Sequence, residues 1–332
     1  MAAPLLEVRD LSMHYPVRQG LFGRDTKMLR AVDEVSFSLA PGETLGLVGE
    51  SGCGKSTLVK SLLFLEQPTA GEIRFHGEIV TAADAGRLRR QAQIVFQDPY
   101  TSLPPRMRVA EIIADPLRIH RLADRAEAER RARALMREVG LNPARGRDYP
   151  FQFSGGQRQR IGIARALAIA PSLLLLDEAV SALDVSVQAQ VLNLLRDLQE
   201  RRGLTYIFIS HDLGVVRAMS DRIAVMYLGK IVEQGPAAEV YERPLHPYTR
   251  ALVSAVPSLR RRGERIRLTG EPPKPTDPPS GCAFHPRCPL ARSICAERTP
   301  ALEEWLPGRF AACHFALEPL PVEQMNANGE AA

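Results

Sequence analysis

The sequence predicts an α/β fold with a mostly parallel central sheet, and three observations carry the prediction. Short apolar segments end in polar residues, stretches of helical periodicity alternate with them, and a glycine-rich loop joins one such strand to one such helix. Leu45-Gly46-Leu47-Val48, Ile94-Val95-Phe96 and the segments 173–176 and 206–209 read as strands buried on both faces, as in a sheet covered by helices. Val187, Val191, Leu194, Leu195 and Leu198 share one face of a helix over 187–198, which packs on that sheet.

Between 100 and 153 the strand pattern stops, and 126–139 is a charged helix rich in Ala, Arg and Glu. This region reads as a helical insertion in a domain spanning 1–245, whose core is 1–99 and 154–245. From His246 onward Pro, Arg and Cys dominate, and Pro272, Pro273, Pro275, Pro278 and Pro279 suggest a stiff linker within a C-terminal extension, 246–332.

The 332 residues are 45% hydrophobic and 24% charged, a globular balance that argues against a disordered chain. The net charge of +5 permits a nucleic-acid partner. Yet the densest basic cluster (Arg260, Arg261, Arg262, Arg265, Arg267) lacks interleaved aromatics, so a solvated surface and no nucleic acid is the expectation. No stretch reaches the roughly 18 apolar residues of a membrane span; the run 164–176 comes nearest and is interrupted by Arg165 and Pro171. The start, MAAPLLEVRD, has no basic region followed by an apolar one, so no signal peptide is expected and the chain should stay in the cytoplasm.

Gly49-Glu50-Ser51-Gly52-Cys53-Gly54-Lys55-Ser56 fits G-x-x-x-x-G-K-[ST], after a strand and before a helical pattern that Thr57 opens. Its glycines let backbone N–H groups close around phosphate oxygens, and the helix N-terminus adds a favourable dipole. Lys55 would reach the β- and γ-phosphates and Ser56 would ligate Mg²⁺. At the end of a four-leucine strand, Asp177 is suited to hold Mg²⁺ and Glu178 to polarise a water, although an acidic pair there can also be a helix cap. Gln97 and His211 also stand just past apolar strands, the edge where open α/β sheets bind ligands. Ser154-Gly155-Gly156-Gln157 offers a second set of N–H groups at a helix start. With only one Lys loop in the chain, that second binder suggests service to another subunit's ATP.

The order of these pieces, with Ser181-Ala182-Leu183-Asp184 between Glu178 and His211, resembles the ATPase domains of the ATP-binding cassette family. The resemblance implies a P-loop NTPase with an antiparallel β subdomain and a helical subdomain beside the parallel core. It implies a head-to-tail pair of such domains, each ATP lying between one phosphate loop and the opposing Ser154–Gln157 segment. Glu178, His211 and Gln97 would then be catalytic, Mg²⁺ would be held by Ser56, Gln97 and Asp177, and Asp184 would border the nucleotide. Tyr15 would stack on adenine, with a strand aromatic in the core as the lesser alternative. Ala179 stands where the family usually has Pro, and Leu103-Pro104-Pro105 where it has Leu-Asn-Pro.

GESGCGKST, FQDPYTSL, SALDVSVQAQVLNLL, FISHDLGVV, MYLGKIVEQG and HPYTRALVSAVP resemble the peptide-importer branch, the dipeptide and oligopeptide ATP-binding subunits of the F type, over about 6–315. That implies a motor for di- and oligopeptide uptake, with nickel, glutathione or oligosaccharide import as alternatives within the branch. The implied partners are a second, paralogous ATPase, two transmembrane permease subunits and an extracytoplasmic solute-binding protein, at the cytoplasmic face of the inner membrane. A soluble non-transport cassette ATPase is the rival reading; tandem cassettes, a coiled coil or a zinc insertion would mark it. Cys282, Cys288, Cys295 and Cys313, spaced C-x5-C-x6-C-x17-C, suit zinc or a [4Fe–4S] cluster equally by chemistry, with His285 and His314 as spare ligands. The branch carries an iron–sulfur cluster in a similar tail, so the resemblance favours that; four unliganded thiols are the remaining possibility.

Overall fold

A computed structural model of the chain describes residues 3–19, 25–256, 266–268 and 270–320. The chain opens with two long strands, β1 (Leu6–Gln19) and β2 (Asp25–Leu39), and then β3 (Thr44–Val48), buried along its whole length. The glycine-rich loop leads into α1 (Lys55–Leu62), followed by β4 (Ala70–Phe75), β5 (Glu78–Ile79), α2 (Ala85–Gln91) and β6 (Ala92–Val95). Next come α3 (Pro99–Ser102), α4 (Val109–Ile119) and α5 (Arg125–Glu138), and α6 (Gly155–Leu167) returns the chain to β7 (Leu173–Asp177). Then follow α7 (Val185–Arg202), β8 (Thr205–Ile209), α8 (Leu213–Met219), β9 (Arg222–Tyr227), β10 (Lys230–Pro236), α9 (Ala237–Glu242) and α10 (Pro247–Ser254). The last elements are α11 (Ser293–Glu297), β11 (Glu303–Leu306) and β12 (Arg309–Ala311).

Two units divide the chain. The first comprises Met1–Leu6, Ser38–Thr44 and Arg74–Ser210. In it β6, β7 and β8 run parallel in register, Ala92 opposite Leu173 and Leu173 opposite Thr205, so the ends of β7 and β8 are level, Asp177 against Ile209. The leucines of β7 and all of β8 are buried, as their unbroken apolar sequence requires. Strand β6 departs from expectation: Ile94 is only half-buried, and Phe96 lies past the strand end and 39% exposed. Among the described residues it is an edge strand paired only with β7, so less covers it. The expected helical region packs Val109, Ile112, Ile113 and Leu117 of α4 near Ala128, Ala132, Leu135 and Met136 of α5. Helix α7 buries Val191, Leu194, Leu195 and Leu198, while Val187 is only half-buried because it sits in the opening turns, against α6 instead of the core.

The second unit comprises Glu7–Phe37, Leu45–Ile73 and His211–Ala332. Here β3 pairs parallel with β9, β9 folds back antiparallel on β10, and β10 pairs with β12, Glu233 opposite Ala311. The chain beyond residue 246 thereby adds β12 and β11 to the strands that follow the glycine-rich loop. Gly46 lets α8 close on β3, since a Cβ there would lie 2.2 Å from Val216 Cγ1. Of the basic cluster, Arg260, Arg261, Arg262 and Arg265 lie outside the described residues.

Candidate functional site

In the second unit, β3 ends at Val48 and the chain turns through the glycine-rich loop into α1. Gly54, at φ +110, is the cap residue of α1, and a Cβ there would lie 2.0 Å from the Ala31 carbonyl oxygen, so the loop closes only with glycine. Among the described residues no side chain caps α1, whose positive end faces the loop. Lys55 is 6% exposed, and its Nζ donates to the carbonyls of Gly49 at 2.7 Å and Glu50 at 2.9 Å. Ser51, Gly52 and Ser56 are exposed and Thr57 half-buried. Burial pushes the Cys53 thiol up against the pull of Lys55, so its side chain is a poor thiolate.

Tyr15, on β1, donates its hydroxyl to the Glu66 carboxylate and also meets the Thr57 hydroxyl; burial, then Glu66, pushes its pKa up to about 12. The ring is thus anchored beside the start of α1. Glu50 is engaged at every polar atom. Its carboxylate receives both Nη atoms of Arg287, at 3.0 and 3.1 Å, its N–H donates to the Tyr248 hydroxyl at 2.8 Å, and its carbonyl accepts Lys55. His211 is exposed and immediately precedes Asp212, whose carboxylate caps α8 by accepting from Gly214 and Val215.

In the first unit, Gln97 donates from Nε2 to Glu178 Oε2 at 2.9 Å and reaches Ser181 Oγ at 3.4 Å. Glu178 follows the half-buried Asp177 and holds φ +47, a left-handed conformation that costs a non-glycine residue about 1 kcal/mol or more. It is held there because its N–H donates to the Ile209 carbonyl at 3.0 Å and its own carbonyl accepts from Ser181 N at 3.1 Å and Oγ at 2.9 Å. Ser154 caps α6 reciprocally: Gln157 N donates to Ser154 Oγ at 3.4 Å, and Ser154 N to Gln157 Oε1 at 3.1 Å. Gly155 and Gly156 open that helix, and a Cβ on Gly156 would lie 2.2 Å from Val187 Cγ1. Asp184 is the exposed residue preceding α7. Buried Arg158 steadies the approach to Ser154, donating to the carbonyls of Pro150 at 2.8 Å and Phe151 at 3.1 Å.

In the tail, every pair among Cys282, Cys288, Cys295 and Cys313 lies close enough for mutual repulsion between thiolates. Burial first, and that repulsion after it, pushes Cys288 up to about 12 and Cys313 up to about 11. Two of the sulfurs also accept backbone N–H groups two residues on, Cys288 from Leu290 and Cys313 from Phe315, each at 3.4 Å. Among the described residues, however, no group of three or more His, Cys, Asp or Glu stands ready to hold a metal ion. His285 and His314 each spend one ring nitrogen on a backbone carbonyl, of Cys282 and Arg298.

The segment His246-Pro247-Tyr248-Thr249-Arg250 binds tail to loop. His246 caps α10 through Nδ1, Tyr248 meets Glu50, and Arg250 donates to the carbonyls of Ala316 at 2.7 Å and Glu318 at 2.6 Å. Sequence reasoning singled out neither Arg287 nor Tyr248 as site neighbours. An arginine between two cysteines was the only local signal for the first.

The family described as ABC transporter matches residues 32–181, and the oligopeptide/dipeptide transporter C-terminal region matches 232–295. The oligopeptide transport ATP-binding protein AppF of Bacillus subtilis is 52% identical over 319 residues, 94% of this chain and 97% of that protein. The di/tripeptide transport ATP-binding protein DppF of Pseudomonas aeruginosa is 49% identical over 317 residues, 94% and 98% of the two chains. Among solved structures, cbiO1 from Clostridium perfringens, part of an ABC transporter complex, superposes with a TM-score of 0.63 at 26% identity, covering 73% of this chain and 92% of that one. A dimeric ATP-binding cassette in a post-hydrolysis state, bound to ADP and Pi, gives 0.61 at 27% identity, covering 70% and 98%.

Proposed function

The chain belongs to the ABC transporter family, and on that premise we propose which of its residues bind and hydrolyse ATP. It is an ATP-hydrolysing subunit that energises peptide uptake, working with membrane permease partners. Gly49 to Thr57 receive the phosphates, with Lys55 on the β- and γ-phosphates and Tyr15 against the adenine. Mg²⁺, which neutralises phosphate charge, falls to Ser56, Asp177 and Gln97. Glu178 orients and polarises the attacking water, and His211 faces the departing phosphate. Ser154, Gly155, Gly156 and Gln157, with Asp184 beside them, serve the nucleotide of a second ATPase subunit.

The observation that carries the chemical assignment is the Gln97–Glu178 bond. The amide nitrogen is spent on the carboxylate, which leaves the amide oxygen for a cation and orients the carboxylate for water. The reciprocal cap of Ser154 and Gln157 supports a preformed anion cradle at the start of α6.

Around this motor we place a paralogous second ATPase, two permease subunits, an extracytoplasmic solute-binding protein and a position at the cytoplasmic face of the inner membrane. No helix among the described residues is long and apolar enough to cross a membrane, in keeping with attachment through partners. The four tail thiols would hold a [4Fe–4S] cluster, with zinc the alternative; the N–H donors on two sulfurs suit thiolate ligands. Such a group would clamp the tail's loops together.

Reconstitution of the chain with its membrane partners and solute-binding protein in liposomes tests the substrate class. ATP-driven accumulation of labelled di- or oligopeptide is expected. Uptake of nickel, glutathione or oligosaccharide in its place would reassign the substrate, and an absorption spectrum of anaerobically purified protein separates iron–sulfur from zinc.

A further inference from the structure

The chain beyond residue 246 grips the glycine-rich loop at one residue from two directions. Arg287, between Cys282 and Cys288, is 8% exposed and sets Nη1 and Nη2 on the two carboxylate oxygens of Glu50, at 3.0 and 3.1 Å. A planar fork on a carboxylate fixes orientation as well as distance, which an ammonium does not. Nη1 also lies 3.5 Å from the Tyr227 hydroxyl. From the other direction Tyr248, fully buried, accepts the Glu50 N–H at 2.8 Å. Its ring is fixed against Tyr227, with centroids 4.7 Å apart, and Phe284, at 5.5 Å.

We propose that Arg287 and Tyr248 are positioning residues of the nucleotide site, holding Glu50 and hence the first half of the glycine-rich loop in the shape that receives ATP phosphates. The proposal rests on the reading of Gly49 to Thr57 as the ATP site. Glu50 spends its N–H on the Tyr248 hydroxyl, so its part in the loop is to be held while its neighbours meet the phosphates. Since both contacts set the loop before chemistry begins, their loss falls on binding, not on the hydrolytic step.

The test uses the full chain, alone for the affinity of a fluorescent ATP analogue and assembled with its partner subunits for KM and kcat. Arg287→Ala is expected to weaken analogue binding and raise KM for ATP about tenfold with kcat within about twofold. Arg287→Lys, which keeps charge but not the fork, falls between it and wild type. Tyr248→Phe, which keeps the ring packing, costs about threefold in KM. Lys55→Ala serves as the reference and should lose analogue binding. Unchanged KM in Arg287→Ala and Tyr248→Phe beside a binding-dead Lys55→Ala overturns the positioning role, as does a fall in kcat and melting temperature with KM unmoved. If Lys55→Ala binds the analogue like wild type, the reading of the loop itself has failed.

Discussion

Around the glycine-rich loop Lys55 is 6% exposed, Cys53 is buried, and Glu50 is bonded through carboxylate, N–H and carbonyl. At the end of β7 the pattern differs: Gln97 is exposed, Glu178 half-buried, and the latter sits at φ +47. On the proposed assignment, the loop is a receptor whose groups already have fixed partners. The Gln97–Glu178 pair is accessible, with Glu178 strained, an arrangement that suits the catalytic role proposed for it. The two regions therefore should fail differently when altered, one in affinity and the other in turnover.

The largest effect should fall on turnover alone. Glu178→Gln keeps the shape of the side chain and removes its charge, so ATP hydrolysis by the assembled transporter should drop about a hundredfold to ten-thousandfold. Nucleotide affinity should stay near wild type and the ATPase pair should be trapped closed, seen as a stable dimer on size exclusion with MgATP. Hydrolysis near the wild-type rate would remove Glu178 from the water-polarising role and erase the contrast.

Next comes a change aimed at the receptor. Gly54→Ala sets a Cβ 2.0 Å from the Ala31 carbonyl at a backbone angle of φ +110. Strain and overpacking together should cost about 3 kcal/mol, or roughly a hundredfold in ATP affinity by isothermal titration. Retained affinity would mean that the loop deforms easily, contrary to its dense bonding.

What the sequence disclosed follows the same division. The loop's place before α1, the strands β7 and β8, the acidic pair at the end of β7 and the helix start at Ser154-Gly155-Gly156-Gln157 were legible because each is local, set by neighbours within a few residues. Phe96 and Val187 were misread because periodicity reports a face but not whether an edge strand or a helix start is covered. The Arg287–Glu50 pair was illegible because its members lie 237 positions apart. Its place between two cysteines sets Arg287 apart from other arginines but does not point to Glu50. The cysteines stood out in the sequence by count and spacing, but among the described residues no group of three or more His, Cys, Asp or Glu stands ready to hold a metal ion.

The smallest effect probes the support behind the receptor by pH. His246 is 1% exposed, and its Nδ1 accepts the Tyr248 N–H at 3.1 Å while the ring also bonds the backbone of Ala312. Burial, then the nearby Arg250 charge, pulls its pKa down to about 3 from 6.5, so the folded protein holds it neutral. The unfolded chain takes up a proton near pH 6.5 that the folded chain refuses until about pH 3. The stabilising contribution is therefore complete above pH 6.5 and is lost as pH falls toward 3, by about 1.4 kcal/mol per unit. Buried Glu233, which accepts the N–H groups of Leu245 and His246, opposes this, because burial raises its pKa and its contribution is lost as pH rises. A variant isolates the histidine: Asn at 246 can still cap α10 but cannot titrate. Urea denaturation of His246→Asn and wild type at pH 7 and pH 5 should show wild type losing about 2 kcal/mol more than the variant. Equal losses would mean that His246 charges freely in the folded protein. The cap under Tyr248, and with it the fixed hold on Glu50, would then be looser than the receptor picture requires.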